Sequence, residues 1–301
     1  MPPSFEFAVV AELTHSADQW FTLVRRCERL GYDALFVTDH TYQRLSAVPA
    51  LAAAAPVSTR LRLGTYALNN DLRNPAVMAR EILTVHTLSG NRAVLGLGAG
   101  WMSADYRDTE LPLDSGGTRY ERLSAAVRTV KQVFADRTGA GHPVASASAP
   151  ACPSPPAFLL GGARRRTLTL AGREADIVSI LPPLGPNGPN DYADGLPEKV
   201  DAQVAWVRAA AAGRSSPPLL NHLLWACVVT SDPPAALEAL AKQLGHPPAD
   251  MARMVPFLVG TIDQMALTLL ARRDRWGFSL VTIPEVAMEQ FAPVIALLRD
   301  E

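Results

Sequence analysis

Apolar residues in this chain fall in short unbroken runs, separated by longer stretches in which they recur every three or four positions. Residues 5–10 (FEFAVV) form the first run and predict a strand. Trp20, Phe21, Val24, Cys27 and Leu30 then recur at helical spacing between Ser16, a residue type suited to an N-cap, and the helix-ending Gly31. Residues 34–37 (ALFV) predict a second strand, 46–57 an alanine-rich helix and 61–68 (LRLGTYAL) a third strand. Asn74 and Pro75 stand as N-cap and first residue of a helix running to Leu88, places that both residue types favour. Further strands are predicted at 93–98, 157–160, 175–180, 223–230 and 279–283, with helices at 119–134, 164–172, 198–212, 234–244, 262–276 and 289–299.

Strands alternating with helices imply parallel pairing through right-handed crossovers. Eight such units over 301 residues are the count of a TIM (β/α)8 barrel, with a doubly wound sheet as the alternative. We expect one barrel domain over residues 1–301, with insertions near 137–156, 181–197 and 246–260. The second insertion leaves a strand C-terminus and so should lie over the barrel mouth. One stretch changes character halfway: residues 88–101 (LSGNRAVLGLGAGW) end a helix and then become a strand that sheds side chains at Gly96, Gly98 and Gly100. That lets something approach the backbone. A Rossmann fingerprint is excluded as the better reading, because Trp101 stands where its third glycine should be and residues 102–117 read as a long loop rather than a helix.

Composition narrows the function classes. A net charge of −1 leaves no electrostatic footprint for nucleic acid. No apolar run approaches the roughly 18 residues of a membrane span, and the N-terminus has no export pattern, so a cytoplasmic protein is expected. Cys27, Cys152 and Cys227 lie far apart without C-x-x-C spacing, as reduced structural thiols would. The six histidines form no H-x-H or H-E-x-x-H pair, so no metal is expected. No lysine falls at a strand end, and no G-x-S-x-G elbow is present.

In a barrel, residues just past the strand C-termini converge on the site; here these are Asp39, His40, Asn69, Gly98, Gly100, Trp101, Gly161 and Gly162. His40 is a candidate general acid or base, or else a turn histidine beside a capping Asp39. Gly161 and Gly162 precede Arg164, Arg165 and Arg166 at the start of a helix. Cations there oppose the helix dipole, a conflict that a bound phosphate resolves. The alternative is three solvated arginines beside a tight turn. A phosphate anchor, a glycine floor and one histidine suit a planar cofactor that carries the chemistry.

On these residues the chain resembles the bacterial luciferase-like family of flavin and deazaflavin oxidoreductases. The resemblance is carried by TDH at 38–40, LRLGTYALNNDLRNPAVMAR at 61–80, LSGNRAVLGLGAGW at 88–101, FLLGG at 158–162, and LVGTIDQM followed by WGFSLVTI near the C-terminus. It implies a cofactor phosphate near Gly161, Gly162 and Ala163, and a ring over strands three and four in contact with Asp39, Tyr66, Ala67, Asn69 and Gly98. It also implies a non-proline cis peptide in strand three, here Tyr66–Ala67, and His40 as the active-site histidine. The Asp-His pair and the Gly-Ala-Gly-Trp turn look like the members that use the 8-hydroxy-5-deazaflavin coenzyme (coenzyme F-420). The implied activity is a hydride transfer between the cofactor and a C=N, C=O or activated C=C bond, with His40 as proton donor or acceptor. The alternatives are an FMN-dependent monooxygenase fed by a partner reductase, and a catalytically silent flavin-binding protein. Sugar-phosphate dehydrogenases of the group carry a glutamate where this chain has Trp101, which disfavours a sugar-phosphate substrate. A small-molecule substrate should meet Trp101, Tyr106 and Tyr192, and the resemblance implies a homodimer.

Overall fold

The computed structural model describes residues 4–138, 154–189 and 192–299. Eight parallel strands close into a barrel: β1 (Glu6–Ala11), β2 (Ala34–Val37), β3 (Arg62–Thr65, resuming at Leu68–Asn69), β4 (Ala93–Gly98), β5 (Ala157–Gly162), β6 (Ile177–Ile180), β7 (Leu219–Leu223) and β8 (Phe278–Pro284). Each pairs with its successor, as in Val37 with Thr65, Leu97 with Leu160 and Asn221 with Ser179, and Phe7 on β1 meets Val281 on β8 to complete the ring. This is the TIM barrel expected. Eight helices follow the strands: α1 (Ala17–Arg29), α2 (Ala47–Ala54), α3 (Pro75–Leu88), α4 (Gly116–Thr138), α5 (Arg165–Glu174), α6 (Pro197–Ala211), α7 (Ile262–Trp276) and α8 (Met288–Leu298).

Local chemistry sets the helix starts. Ser16 and Gln19 form a reciprocal capping box on α1, Thr261 and Gln264 form another on α7, and the Asn74 side chain accepts from the N–H groups of Ala76 and Val77 ahead of α3. Inside the barrel, Ala8, Ala34, Phe36, Tyr66, Val94, Leu159, Ile177 and Leu280 fill the lumen. Alternate strand residues pack outward under the helices. Above the apolar fill lies a polar belt. The Tyr66 hydroxyl, Ser179 Oγ and Asn221 Oδ1 are mutually hydrogen-bonded, and Asn221 Nδ2 donates to Thr282 Oγ1 (2.6 Å) and the Leu280 carbonyl (3.2 Å).

β3 breaks at residues 66–67, where the Tyr66–Ala67 peptide is cis, as expected. Just before the break, Thr65 Oγ1 donates to the Gly96 carbonyl and accepts from its N–H, so both Gly96 backbone groups are satisfied beside the gap.

Three expectations are corrected. The seventh barrel strand is Leu219–Leu223, not 223–230. The residues after it form a second strand, Ala226–Val229, outside the barrel and parallel to Phe257–Gly260 within the expected 246–260 insertion. Helix Pro233–Leu244 joins the two, making a small βαβ annex. From α7, Arg272 fastens the annex, donating to the carbonyls of Val255 (2.8 Å) and Phe257 (3.0 Å). Second, residues 102–117 are not all loop: they contain helix Ser103–Asp108, and α4 begins at Gly116. Third, the 181–197 excursion carries a hairpin of Leu184–Gly185 with Gly188–Pro189. The 137–156 insertion, with Cys152, falls mostly outside the described residues; Cys27 and Cys227 are buried free thiols.

Candidate active site

A cavity of about 460 Å³ opens at the C-terminal ends of the strands. Its wall includes His40, Asp39, Tyr66, Ala67, Asn69, Gly98, Gly100, Trp101, Gly161, Gly162 and Ala163, so most residues singled out from the sequence meet in one place. β2 ends at Val37 and delivers Asp39 and His40; the break in β3 turns Tyr66 and Ala67 to the floor; β5 ends in the two glycines.

His40 sits in a fixed setting. Its Nδ1 lies 2.9 Å from Asp105 Oδ2, its ring stacks on Tyr42 at 5.4 Å, and the Trp101 ring meets it edge-on at 5.5 Å. An ionised carboxylate only accepts, so the proton of this contact resides on Nδ1 and Nε2 is left for exchange with a reactant. Asp105 is 2% exposed and also accepts from the N–H and hydroxyl of Thr41. Asp105 had no signal in the sequence: MSADYRDTE lacks apolar periodicity, and a six-residue helix is too short to announce itself.

Asp39 reaches the wall, yet its oxygens are engaged. They accept two bonds from Arg73 (2.5 and 2.8 Å) and one from the Asn69 N–H (3.0 Å), so Asp39 ties the end of β2 to the end of β3. The Asn69 side chain accepts from the Asp71 N–H, and its buried amide lies beside the Tyr106 hydroxyl.

Gly98 sits beside Ala67 on the floor, with no atom nearer than 3.6 Å to where a Cβ would stand. Gly100 has another cause. Its φ is +75°, and a Cβ there would collide with the Tyr106 hydroxyl and the Asn69 amide. It is therefore required by its neighbours and not by the approach of a ring. Tyr106 does not reach the cavity: it is 1% exposed and donates to Asp71 Oδ2 at 2.8 Å. Burial, with the adjacent carboxylate, pushes its phenol up to about 12. Burial of Asp71 opposes its ionisation, but bonds from Arg122 and Tyr106 outweigh that and hold it below the usual carboxylate range. Tyr192 is also elsewhere, packed against Trp225, His246 and Phe257 in the annex cluster, so the tyrosine wall expected of Tyr106 and Tyr192 is absent. A place near the mouth does not by itself put an aromatic ring on the wall: Tyr106 is held by a hydrogen bond and Tyr192 by aromatic packing.

At the other end of the cavity α5 starts without a side-chain cap: Arg164 is its N-cap residue and makes no capping bond. Gln203, from α6, donates to the carbonyls of Ala163 (3.1 Å) and Leu181 (3.4 Å) and steadies the glycine turn. Arg164 joins the wall, while Arg166 turns outward to Glu121 and the Tyr120 ring. Glu12, Arg119, Thr167 and Trp225 are also part of the lining, as are Leu181, Pro182, Pro183 and Leu184. The hairpin beyond Leu184 rests on the short helix that carries Asp105: Ser103 N–H donates to the Pro186 carbonyl at 3.0 Å, and its hydroxyl meets Asn187 at 3.3 Å.

With this geometry in place, comparison with known proteins is decisive on family. Residues 6–266 match the profile described as luciferase-like monooxygenase. The chain belongs to the luciferase-like monooxygenase family. Among its sequence relatives is an F420-dependent glucose-6-phosphate dehydrogenase of Beutenbergia cavernae, 34% identical over 116 residues, which are 36% of this chain and 34% of that protein. Another is the 5,10-methylenetetrahydromethanopterin reductase of Methanolobus tindarius, 37% identical over 73 residues, 24% of this chain and 22% of that protein. The match thus spans about a third or less of these curated relatives. The fold is that of the coenzyme F420 dependent tetrahydromethanopterin reductase from Methanopyrus kandleri, with a TM-score of 0.73, 17% identity, and 98% of this chain and 100% of that one covered. Membership of the luciferase-like family agrees with the barrel described above.

Proposed function

We propose that this chain is a coenzyme F-420-dependent oxidoreductase that moves a hydride between the deazaflavin and a C=N, C=O or activated C=C bond of a small organic substrate. The observation that carries the reading is the buried Asp105 carboxylate bonded to His40 Nδ1 on the wall of an apolar-floored cavity. The residues present fit a planar phosphate-bearing cofactor. The start of α5 behind Gly161, Gly162 and Ala163, which has no side-chain cap, suits a phosphate, and the floor at Gly98 beside Ala67, where no side chain stands, leaves room for a flat ring. When bound, the deazaflavin supplies the carbon that accepts or releases hydride. The protein does the rest. Tyr66, Ala67 and Gly98 form the floor, Trp101 and the prolines of the 181–197 segment exclude water, and His40 gives or takes the substrate proton from an orientation set by Asp105.

Relatives named as F420-dependent support this choice of cofactor. The family description itself favours a second reading, an FMN-dependent monooxygenase using reduced flavin from a partner reductase. Titration of the purified protein with oxidised and reduced deazaflavin and with FMN, followed by fluorescence, decides between them. Preference for deazaflavin with no oxygen uptake is expected. Preference for FMN with oxygen consumption coupled to substrate hydroxylation would replace the first reading by the second. Trp101 beside His40 argues against the sugar phosphate of the Beutenbergia relative. A homodimer is part of the proposal, checked by sedimentation.

A further inference from the structure

Two arginines stand one turn apart near the start of α4, and their surroundings differ. Arg122 takes both neighbouring carboxylates, with two bonds to Asp71 (2.8 and 2.6 Å) and one to Asp114 (2.6 Å). Arg119 is left with main-chain oxygens. Its guanidinium donates to the carbonyls of Gly100 and Asp114, and it pairs with no carboxylate among the described residues. It is nonetheless part of the cavity wall. Pinned at two points, it has little freedom to swing into solvent, and it sits in the first turns of a 23-residue helix, where the dipole already favours an anion.

Among the cavity's other charged groups, Glu12 and Arg164 also make no ion pair among the described residues. Asp39 pairs with Arg73, Asp105 with His40, and Glu12 lies against the Tyr42 phenol. Arg164 flanks the glycine turn at β5. Arg119 is anchored at Gly100, the residue before Trp101, whose ring touches His40. The unpaired guanidinium therefore lies on the same stretch of wall as the proton-transfer group.

We propose that Arg119 receives a carboxylate carried by the substrate, whose apolar body lies against Trp101, Pro182, Pro183 and Leu184. This rests on the reading of the cavity as an oxidoreductase site and names the substrate class within it. A fixed fork of donors matches a carboxylate, and the bond is charge-assisted. The assignment accommodates both an apolar mouth and a guanidinium held in place without a carboxylate partner, which a neutral or a purely polar substrate does not.

Calorimetric titration with benzoate and with its neutral counterpart benzamide tests it, on protein with and without bound deazaflavin, for the wild type, Arg119→Gln and Arg119→Lys. Benzoate is expected to bind the wild type about tenfold tighter than benzamide, as one charge-assisted hydrogen bond allows. Arg119→Gln should abolish that preference, Arg119→Lys should keep part of it, and the dissociation constant of the deazaflavin should stay as in the wild type. Equal affinity of the wild type for the two probes overturns the proposal without recourse to any variant. So does unchanged benzoate binding in a folded Arg119→Gln protein, or loss of deazaflavin affinity in its place, which would assign the guanidinium to the cofactor. A protein that binds neither deazaflavin nor FMN removes the proposed function alone, since the benzoate preference of the cofactor-free protein still reports on Arg119.

Discussion

In the proposed function His40 and Asp105 divide one task, the first exchanging a proton and the second deciding which nitrogen does so. Removing the imidazole should abolish the transfer yet spare the floor. His40→Ala is therefore expected to keep its deazaflavin dissociation constant and lose about 10² to 10⁴-fold in kcat. An unchanged kcat would remove His40 from the reaction. Asp105→Asn keeps the shape of the contact but replaces an acceptor-only group by one that can also donate, so either ring nitrogen can carry the proton. A loss of about 10- to 100-fold is expected, smaller than that of losing the ring, and steady-state kinetics on both variants under the same conditions ranks them. His40 was legible because it directly follows a short apolar run. Asp105 was not, because the pairing joins positions 65 residues apart and depends on a helix without an apolar stripe.

At the scale of the element, β4 shows how one glycine pattern serves separate needs. A Cβ on Gly96 would stand 2.0 Å from the Thr65 carbonyl, which is backbone and cannot yield, whereas one on Gly98 would meet only Ala67 Cβ at 3.6 Å. Gly96→Ala should cost about 1–3 kcal/mol or more as overpacking, seen as a lowered urea midpoint. Gly98→Ala should unfold at the wild-type midpoint but bind deazaflavin more weakly, because the added methyl stands on the floor. Equal midpoints for the two variants would refute this division. The strand itself was legible from its unbroken apolar run, and so were seven of the eight barrel strands near their observed places. β7 was displaced because Leu219–Leu223 contains Asn221 and His222, two polar residues that serve the polar belt and the annex, while the more apolar run behind it belongs to the annex. Hydrophobicity marks burial and does not say in which sheet.

For the molecule as a whole, the joint between barrel and annex sets a pH dependence. His222 is buried, with Nε2 2.7 Å from the Val255 carbonyl and Arg272 alongside. Burial first, and then the Arg272 charge, press its imidazole down to about 3 from its ordinary value. The ring is neutral in both folded and unfolded chains above that ordinary value, so this contribution is fully present there. As pH falls towards about 3 the unfolded chain takes up a proton that the native state refuses, and stability declines by about 1.4 kcal/mol per pH unit. His86, lowered by its own burial, acts in the same direction. Urea unfolding of the wild type between about pH 6 and pH 4 should show this slope, and His222→Gln should flatten it; parallel slopes would clear His222 of the effect. Such a term could not be read from the sequence, since nothing near position 222 reveals an arginine fifty positions later. The helix Ser103–Asp108 has a further consequence at this scale. Its Ser103 holds the hairpin tip at Pro186 and Asn187, and its Asp105, two residues on, is the partner of His40. If the proposed function holds, selectivity and proton delivery share a lever, and selection for bulkier substrates should yield paired changes at 103–105 and 186–187, with altered turnover appearing before the cavity wall itself has changed.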